Sequence, residues 1–245
     1  MKTISVSNEK EMSRKAAEII IALIRENPNA VLGLATGGTP EGTYRALALD
    51  HQKNKTTYRS VRTVNLDEYV GLDANDPNSY HAYMEEHLFR HIDIPQDQHF
   101  LPNGSAESLE AECRRYDRMI ERLGGIDLQL LGIGENGHIG FNEPGTPFQT
   151  ATHVVTLTES TRRANARYFE NIDEVPAQAI TMGISTILKS KAILLLASGE
   201  KKADAVRRLL TETQNTDFPA SSLIAHPNVT VIADREAMSR VHLYQ

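Results

Sequence analysis

The chain has 245 residues, long enough to bury one large α/β core or two small ones, and its 40% hydrophobic and 24% charged content is that of a folded globular protein. A net charge of −6 argues against a general affinity for nucleic acid or for an anionic membrane surface. The opening segment 1–10 carries no apolar signal-peptide core, and no run approaches the ~20 apolar residues of a membrane span.

Short runs rich in Val, Ile and Leu alternate with longer amphipathic stretches. In chain order the sequence predicts a helix over 9–26, a strand over 30–35, a helix over 40–49, a strand over 61–66, and helices over 79–91 and 106–123. A strand over 128–133 follows, then strand 154–157, helix 160–169, strand 192–197, helix 200–211 and strand 229–233. Strands alternating with helices predict an α/β fold, a mostly parallel sheet flanked by helices on both faces. No linker, repeat or low-complexity tract divides the chain, so residues 1–245 read as a single domain. Cys113 is the only cysteine, set in a helical pattern among Glu110, Glu112, Arg114 and Arg115. It reads as structural, and with no intrachain disulfide possible a cytoplasmic location is the expectation.

Polar residues gather where the strands stop. Ala35 leads into Thr36-Gly37-Gly38-Thr39, Leu66 into Asp67-Glu68, Ile133 into a loop holding His138, and Ala197 into Ser198-Gly199-Glu200-Lys201-Lys202. Open α/β sheets bind ligands at the carboxyl ends of their strands, so four such loops on one edge predict a site there.

The loop after 30–35 leaves glycine amides exposed before a helix, with Thr39 expected as the cap and Pro40 as the first helical residue. It suits a phosphate, though a plain tight turn would read the same, and no Walker lysine follows. Asp67, expected just past its strand, reads as a carboxylate base that is ionised at neutral pH if its pKa stays near the usual ~3.9. Glu68 beside it reads equally as a solvated turn residue. Between Leu131 and Gly145 five glycines surround His138 and Glu143, which points to acid–base chemistry. Gly132, Gly134 and Gly137 match the dinucleotide spacing on paper. Gly140 and Pro144, however, make the required helix unlikely to form, so no nicotinamide or flavin is expected. His87 and His91 stand at the spacing of a metal pair but lack further ligands, and a solvated helix face is the better reading; His81 and His99 bear no clear relation to them. Arg114-Arg115 and Arg207-Arg208 read as exposed helix faces.

Five segments carry a resemblance. They are 32–40 (Leu-Gly-Leu-Ala-Thr-Gly-Gly-Thr-Pro), 65–72 (Asn-Leu-Asp-Glu-Tyr-Val-Gly-Leu), 134–145 (Gly-Glu-Asn-Gly-His-Ile-Gly-Phe-Asn-Glu-Pro-Gly), 161–169 and 198–203. In this order the chain resembles the glucosamine-6-phosphate deaminase family, which turns glucosamine 6-phosphate and water into fructose 6-phosphate and ammonia without an organic cofactor. The resemblance implies a modified doubly wound (Rossmann-like) sheet. It implies that Asp67 takes the C2 proton and returns one at C1, that His138 assists opening of the sugar ring, and that Glu143 orients and charges the imidazole. Gly37, Gly38, Thr39, Arg167 and Lys202 would hold the phosphate.

Two departures stand out. Asn136 occupies a position that is aspartate in many relatives, leaving Glu143 as the acidic partner of His138. Thr146-Pro147 and His153-Val154-Val155 stand where effector-activated hexameric members carry Ser-Ser and Arg-x-Lys, and the chain stops soon after its last predicted strand. The expectation is an unregulated enzyme compatible with a monomer. Segment 145–152 is a loop and a candidate lid. Two rivals share the implied fold: a 6-phosphogluconolactonase, and a non-catalytic sugar-phosphate sensor. The lactonase pattern has Asp-Glu-Arg and Ser-Leu-Phe-Pro, where this chain has Asp67-Glu68-Tyr69 and Gly140-Phe141-Asn142-Glu143-Pro144. A sensor would be free to lose Asp67, His138 and Glu143, which are all present.

Overall fold

A computed structural model of the protein describes residues 1–166 and 169–241. The chain begins with β1 (Lys2–Val6), α1 (Glu9–Glu26), β2 (Val31–Leu34), α2 (Gly38–Asn54), β3 (Arg62–Asn65), β4 (Asp67–Tyr69), α3 (Tyr80–His87), β5 (His99–Phe100) and α4 (Leu109–Arg122). It continues through β6 (Leu128–Gly132), β7 (His153–Thr156), α5 (Glu159–Asn165), β8 (Gln178–Thr181), α6 (Ile184–Leu188), β9 (Ile193–Ala197), α7 (Ala203–Thr211) and β10 (Val229–Asp234). Helix starts are set by short polar caps. Asn8 accepts from Glu11 N, Ser79 from Ala82 N and Ser108 from Ala111 N, each satisfying a donor the helix leaves open.

Seven strands form one all-parallel sheet in the order β1-β10-β9-β6-β2-β3-β5. Alternation along each strand divides the core in two. Leu194 and Leu196 of β9 join α1, α2 and α3 on one face, through residues such as Ile20, Leu47 and Met84. Ile193, Leu195 and Ala197 join α4, α6 and α7 on the other, through Ile120, Ile187 and Val206. Such strands, buried on both faces, read as continuous apolar runs. From β2 the chain builds outward to β3 and β5, then returns to β6 on the other side of β2 and builds toward β9 and β10. The reversal opens a crevice between the carboxyl ends of β2 and β6, the switch point of a doubly wound sheet.

A second, antiparallel sheet in the order β4-β8-β7 hangs beside this edge. The strand expected at 154–157 belongs there and not to the main sheet. Asp67 lies inside β4, opposite Thr181, instead of beyond a strand end. Leu66 is the joint: its N–H reaches Leu34 O in the main sheet, and its carbonyl accepts from Met182 N in the small one. No helix of the described residues is long and apolar enough to cross a membrane.

Candidate active site

A cavity of about 670 Å³ opens at the carboxyl ends of β2, β3 and β6. Among the residues singled out from sequence, it brings together Gly37, Gly38, Thr39, Asp67, Asn136, His138 and Lys202. Glu143 does not line it and stands behind Asn136 and His138. Arg167 lies outside the described residues.

The loop after β2 differs from expectation in its detail. Gly37, at φ 92°, is the N-cap, and α2 starts at Gly38, so Thr39 sits within the first turn instead of capping it. No side chain caps this helix. A residue with a Cβ would be strained at that φ, and glycine is what allows the early start. The first N–H groups of α2 are therefore left for a bound anion. Tyr83 of α3 braces the turn by donating from its hydroxyl to Gly37 O at 2.7 Å.

Asp67 is 6% exposed, and no described residue donates a hydrogen bond to its carboxylate. Burial, and then the adjacent charge of Glu68, push it up from 3.8 to about 8, in place of the ordinary value expected from sequence. Glu68 is not a solvated turn residue. Its carboxylate is buried and accepts from the backbone N–H of Tyr69, Tyr80 and His81, pinning the start of α3 to β4. His81 Nδ1 lies 2.9 Å from the same group.

His138 is held by a relay. Asn136 Nδ2 donates to Glu143 Oε2 at 2.8 Å, while Asn136 Oδ1 lies 2.8 Å from His138 Nδ1 and 3.2 Å from His138 N. A carboxylate accepts only, so the amide nitrogen must face Glu143 and the amide oxygen must face the ring. Nδ1 therefore carries a proton, and in the neutral ring Nε2 keeps the lone pair. Glu143 itself is 3.7 Å from Nδ1, and Asn136 stands between them as intermediary. Burial lowers the imidazole pKa, Glu143 opposes that shift and Lys202 adds to it. A Cβ on Gly134 would sit 2.3 Å from the ring, so the close seat of His138 needs glycine there. Gly140, in the same loop, brings the backbone up to Asp67: a Cβ there would lie 3.7 Å from Asp67 Oδ2.

No helix follows the glycine triplet; residues 133–144 form turns, and the chain does not build the dinucleotide loop. Among the described residues no cluster of three or more His, Cys, Asp or Glu could hold a metal ion. His87 packs on the Tyr83 ring at 4.3 Å and lines the cavity instead of a solvated face. Cys113 is buried and its thiol is pushed up to about 11, as a structural cysteine would be. Residues that sequence reasoning missed are Tyr80, Tyr83, Thr161 and Asn165, all on the cavity wall. Ser79 as a helix cap followed by two tyrosines at i+1 and i+4 was the available signal for the first pair.

The fold and the site together define an α/β protein with a small-molecule cavity at the switch point of its sheet. Residues 7–232 match the family of glucosamine-6-phosphate isomerases/6-phosphogluconolactonase, and the chain belongs to that family. The glucosamine-6-phosphate deaminase of Geobacillus sp. (strain WCH70) is 63% identical over 98% of this chain and 96% of its own length. Glucosamine-6-phosphate deaminase 1 of Bacillus subtilis (strain 168) is 59% identical over 98% and 99%. A solved structure of a monomeric glucosamine-6-phosphate deaminase superposes with a TM-score of 0.96 at 59% identity, covering 98% of this chain and all of that one. The 6-phosphogluconolactonase of Trypanosoma brucei shares the fold, with a TM-score of 0.77 at 22% identity and 98% coverage of each chain.

Proposed function

We propose that this chain converts glucosamine 6-phosphate and water into fructose 6-phosphate and ammonia, acting as one catalytic domain without an organic cofactor. The observation that carries the reading is the pairing, in one cavity, of a buried carboxylate to which no described residue donates a hydrogen bond with a histidine protonated on Nδ1, beside an uncapped helix start. Relatives that carry the deaminase name at 57–63% identity favour this reading over the lactonase and over a sensor.

The uncapped first turn of α2 and Lys202 take the phosphate dianion; the resemblance adds Arg167. With one end fixed, the sugar ring lies against His138 and Asp67, and such positioning alone is worth several kcal/mol. His138 Nε2 takes the proton of the anomeric hydroxyl and passes one to the ring oxygen, which opens the ring to the aldehyde. Asp67 then removes the C2 proton while O1 gains the proton that the C2 ammonium gives up, which leaves an enolamine across C1 and C2, and Asp67 returns its proton at C1. The product is a C2 iminium. Water adds to that carbon and ammonia leaves, giving the ketose. The substrate's C2 ammonium brings a positive charge beside Asp67, which offsets the burial that holds this group protonated in the empty site.

The protein works as a monomer in this reading, in keeping with the superposable monomeric deaminase, and in the cytoplasm. Steady formation of fructose 6-phosphate from glucosamine 6-phosphate by purified protein is the expected result. Its absence in folded protein would overturn the proposal.

A further inference from the structure

We propose that Thr161 is a positioning residue, whose hydroxyl holds the Glu143 carboxylate in the orientation that seats Asn136 and, through it, the His138 imidazole. The inference rests on the function proposed above and extends it to α5, an element that contributes none of the acid–base groups.

The hydrogen bonds run in one direction. Thr158, the N-cap of α5, donates from Oγ1 to Thr161 Oγ1 at 2.9 Å, and Thr161 Oγ1 donates onward to Glu143 Oε1 at 2.8 Å. A carboxylate only accepts and a hydroxyl has one proton, so Thr161 spends its proton on Glu143 and accepts from Thr158. The other carboxylate oxygen, Oε2, takes Asn136 Nδ2 at 2.8 Å. Among the described residues each oxygen of Glu143 is therefore held by one side-chain donor, and the carboxylate is held from both sides.

Without the Thr161 hydroxyl, Asn136 is the one side chain among the described residues that still donates to this group. Oε2 already stands 3.7 Å from His138 Nδ1, and a modest rotation would let it compete with Asn136 for the ring proton. A carboxylate relieved of a donor also keeps more of its charge for its remaining partners. Both changes favour the imidazolium. Among the described residues the charged groups that act on the ring are Glu143 in its own loop and Lys202 from the segment after β9, and a substitution at Thr161 neither adds nor removes a charge. α5 and the chain just after it also supply Asn165 and Phe169 to the cavity wall. One stretch of chain thus closes a side of the cavity and sets the state of its histidine.

The test is a pH titration of His138 by NMR in the full-length protein without substrate, made on the parent, Thr161→Val and Thr161→Ser. Valine keeps the shape and removes the hydroxyl. The His138 titration is expected to move up by about half a pH unit or more in Thr161→Val. Its kcat is expected to fall by about three- to tenfold with KM little changed. Thr161→Ser should restore both. A His138 titration that stays where it is in Thr161→Val, or a serine variant that behaves like the valine one, overturns the proposal. Should Thr161→Val fail to fold, Thr161→Ala is judged by the same titration and the same serine control. The titration needs no turnover, so an inactive parent would refute the assigned reaction without touching this result.

Discussion

At the scale of single residues, Asp67 is a carboxyl that the fold buries, paired in the small sheet with Thr181 of β8 from a distant part of the chain. A carboxyl raised to about 8 has its charged form disfavoured by the fold. Stability from this group is fully present below the ordinary 3.8 and is lost as pH rises through about 8. Asp67→Asn, neutral throughout, should therefore gain on the parent as pH rises, by on the order of a few kcal/mol at pH 9. Calorimetry at pH 5 and pH 9 checks this, and a gain that did not grow between them would contradict the burial argument. The same variant should lose turnover by at least about a hundredfold while still binding the sugar phosphate, since only the carboxylate accepts the C2 proton. In the parent, kcat/KM should rise with pH up to about 8, because it reports the free protein's base. The limb in kcat should lie lower, because the bound ammonium favours the carboxylate.

At the scale of elements, the sequence was readable where a strand is buried on both faces and opaque where it is short. The runs around β2, β3, β6, β9 and β10 stand out by their clustered Val, Ile and Leu, which is unbroken only in β9. β4 is three residues of Asp, Glu and Tyr, β5 only His99–Phe100, and β8 begins on an exposed glutamine; none has a period of its own. β1 pairs only with β10 at the sheet edge and stays largely exposed, so its pattern is weak. Of the site, the loops on strand ends could be read, whereas the contributions of α3 and α5 could not, because tertiary packing alone carries them there. The loop that presents Lys202 shows how an element positions a side chain at one remove. Asp234, at the end of β10 and 4% exposed, accepts from Ser198 Oγ at 2.5 Å, Gly199 N at 3.1 Å and Ala237 N at 2.8 Å. Asp234→Ala would leave the part-buried Ser198 and Gly199 donors and the buried Ala237 N–H without this acceptor and release the turn. Steady-state kinetics should show KM for the sugar phosphate raised on the order of tenfold, with a smaller change in kcat. Equal losses in both, or none, would mean that the turn does not set the position of Lys202.

At the scale of the whole molecule, the cavity exists only because strands from distant parts of the chain end side by side. β2 brings the anion loop, β3 leads to Asp67, β6 delivers His138, and the turn after β9 delivers Lys202. No local segment contains the site, so global unfolding must destroy it, and a ligand that bridges these strand ends must oppose that unfolding. A ligand at a hundred times its Kd adds about 2.7 kcal/mol to the folded state. In a chain of this size that raises Tm by about 5–10 °C. Fructose 6-phosphate, the proposed product, should give such a rise. Fructose should give almost none, because the dianion is what α2 and Lys202 hold, and inorganic phosphate should give a small one. Lys202→Ala, measured against its own ligand-free Tm, should cut the response to fructose 6-phosphate by more than half. If fructose shifted Tm as far as its phosphate ester, the strand-end loop and Lys202 would not be the anchor, and the sugar would have to be held chiefly by the wall formed by α3.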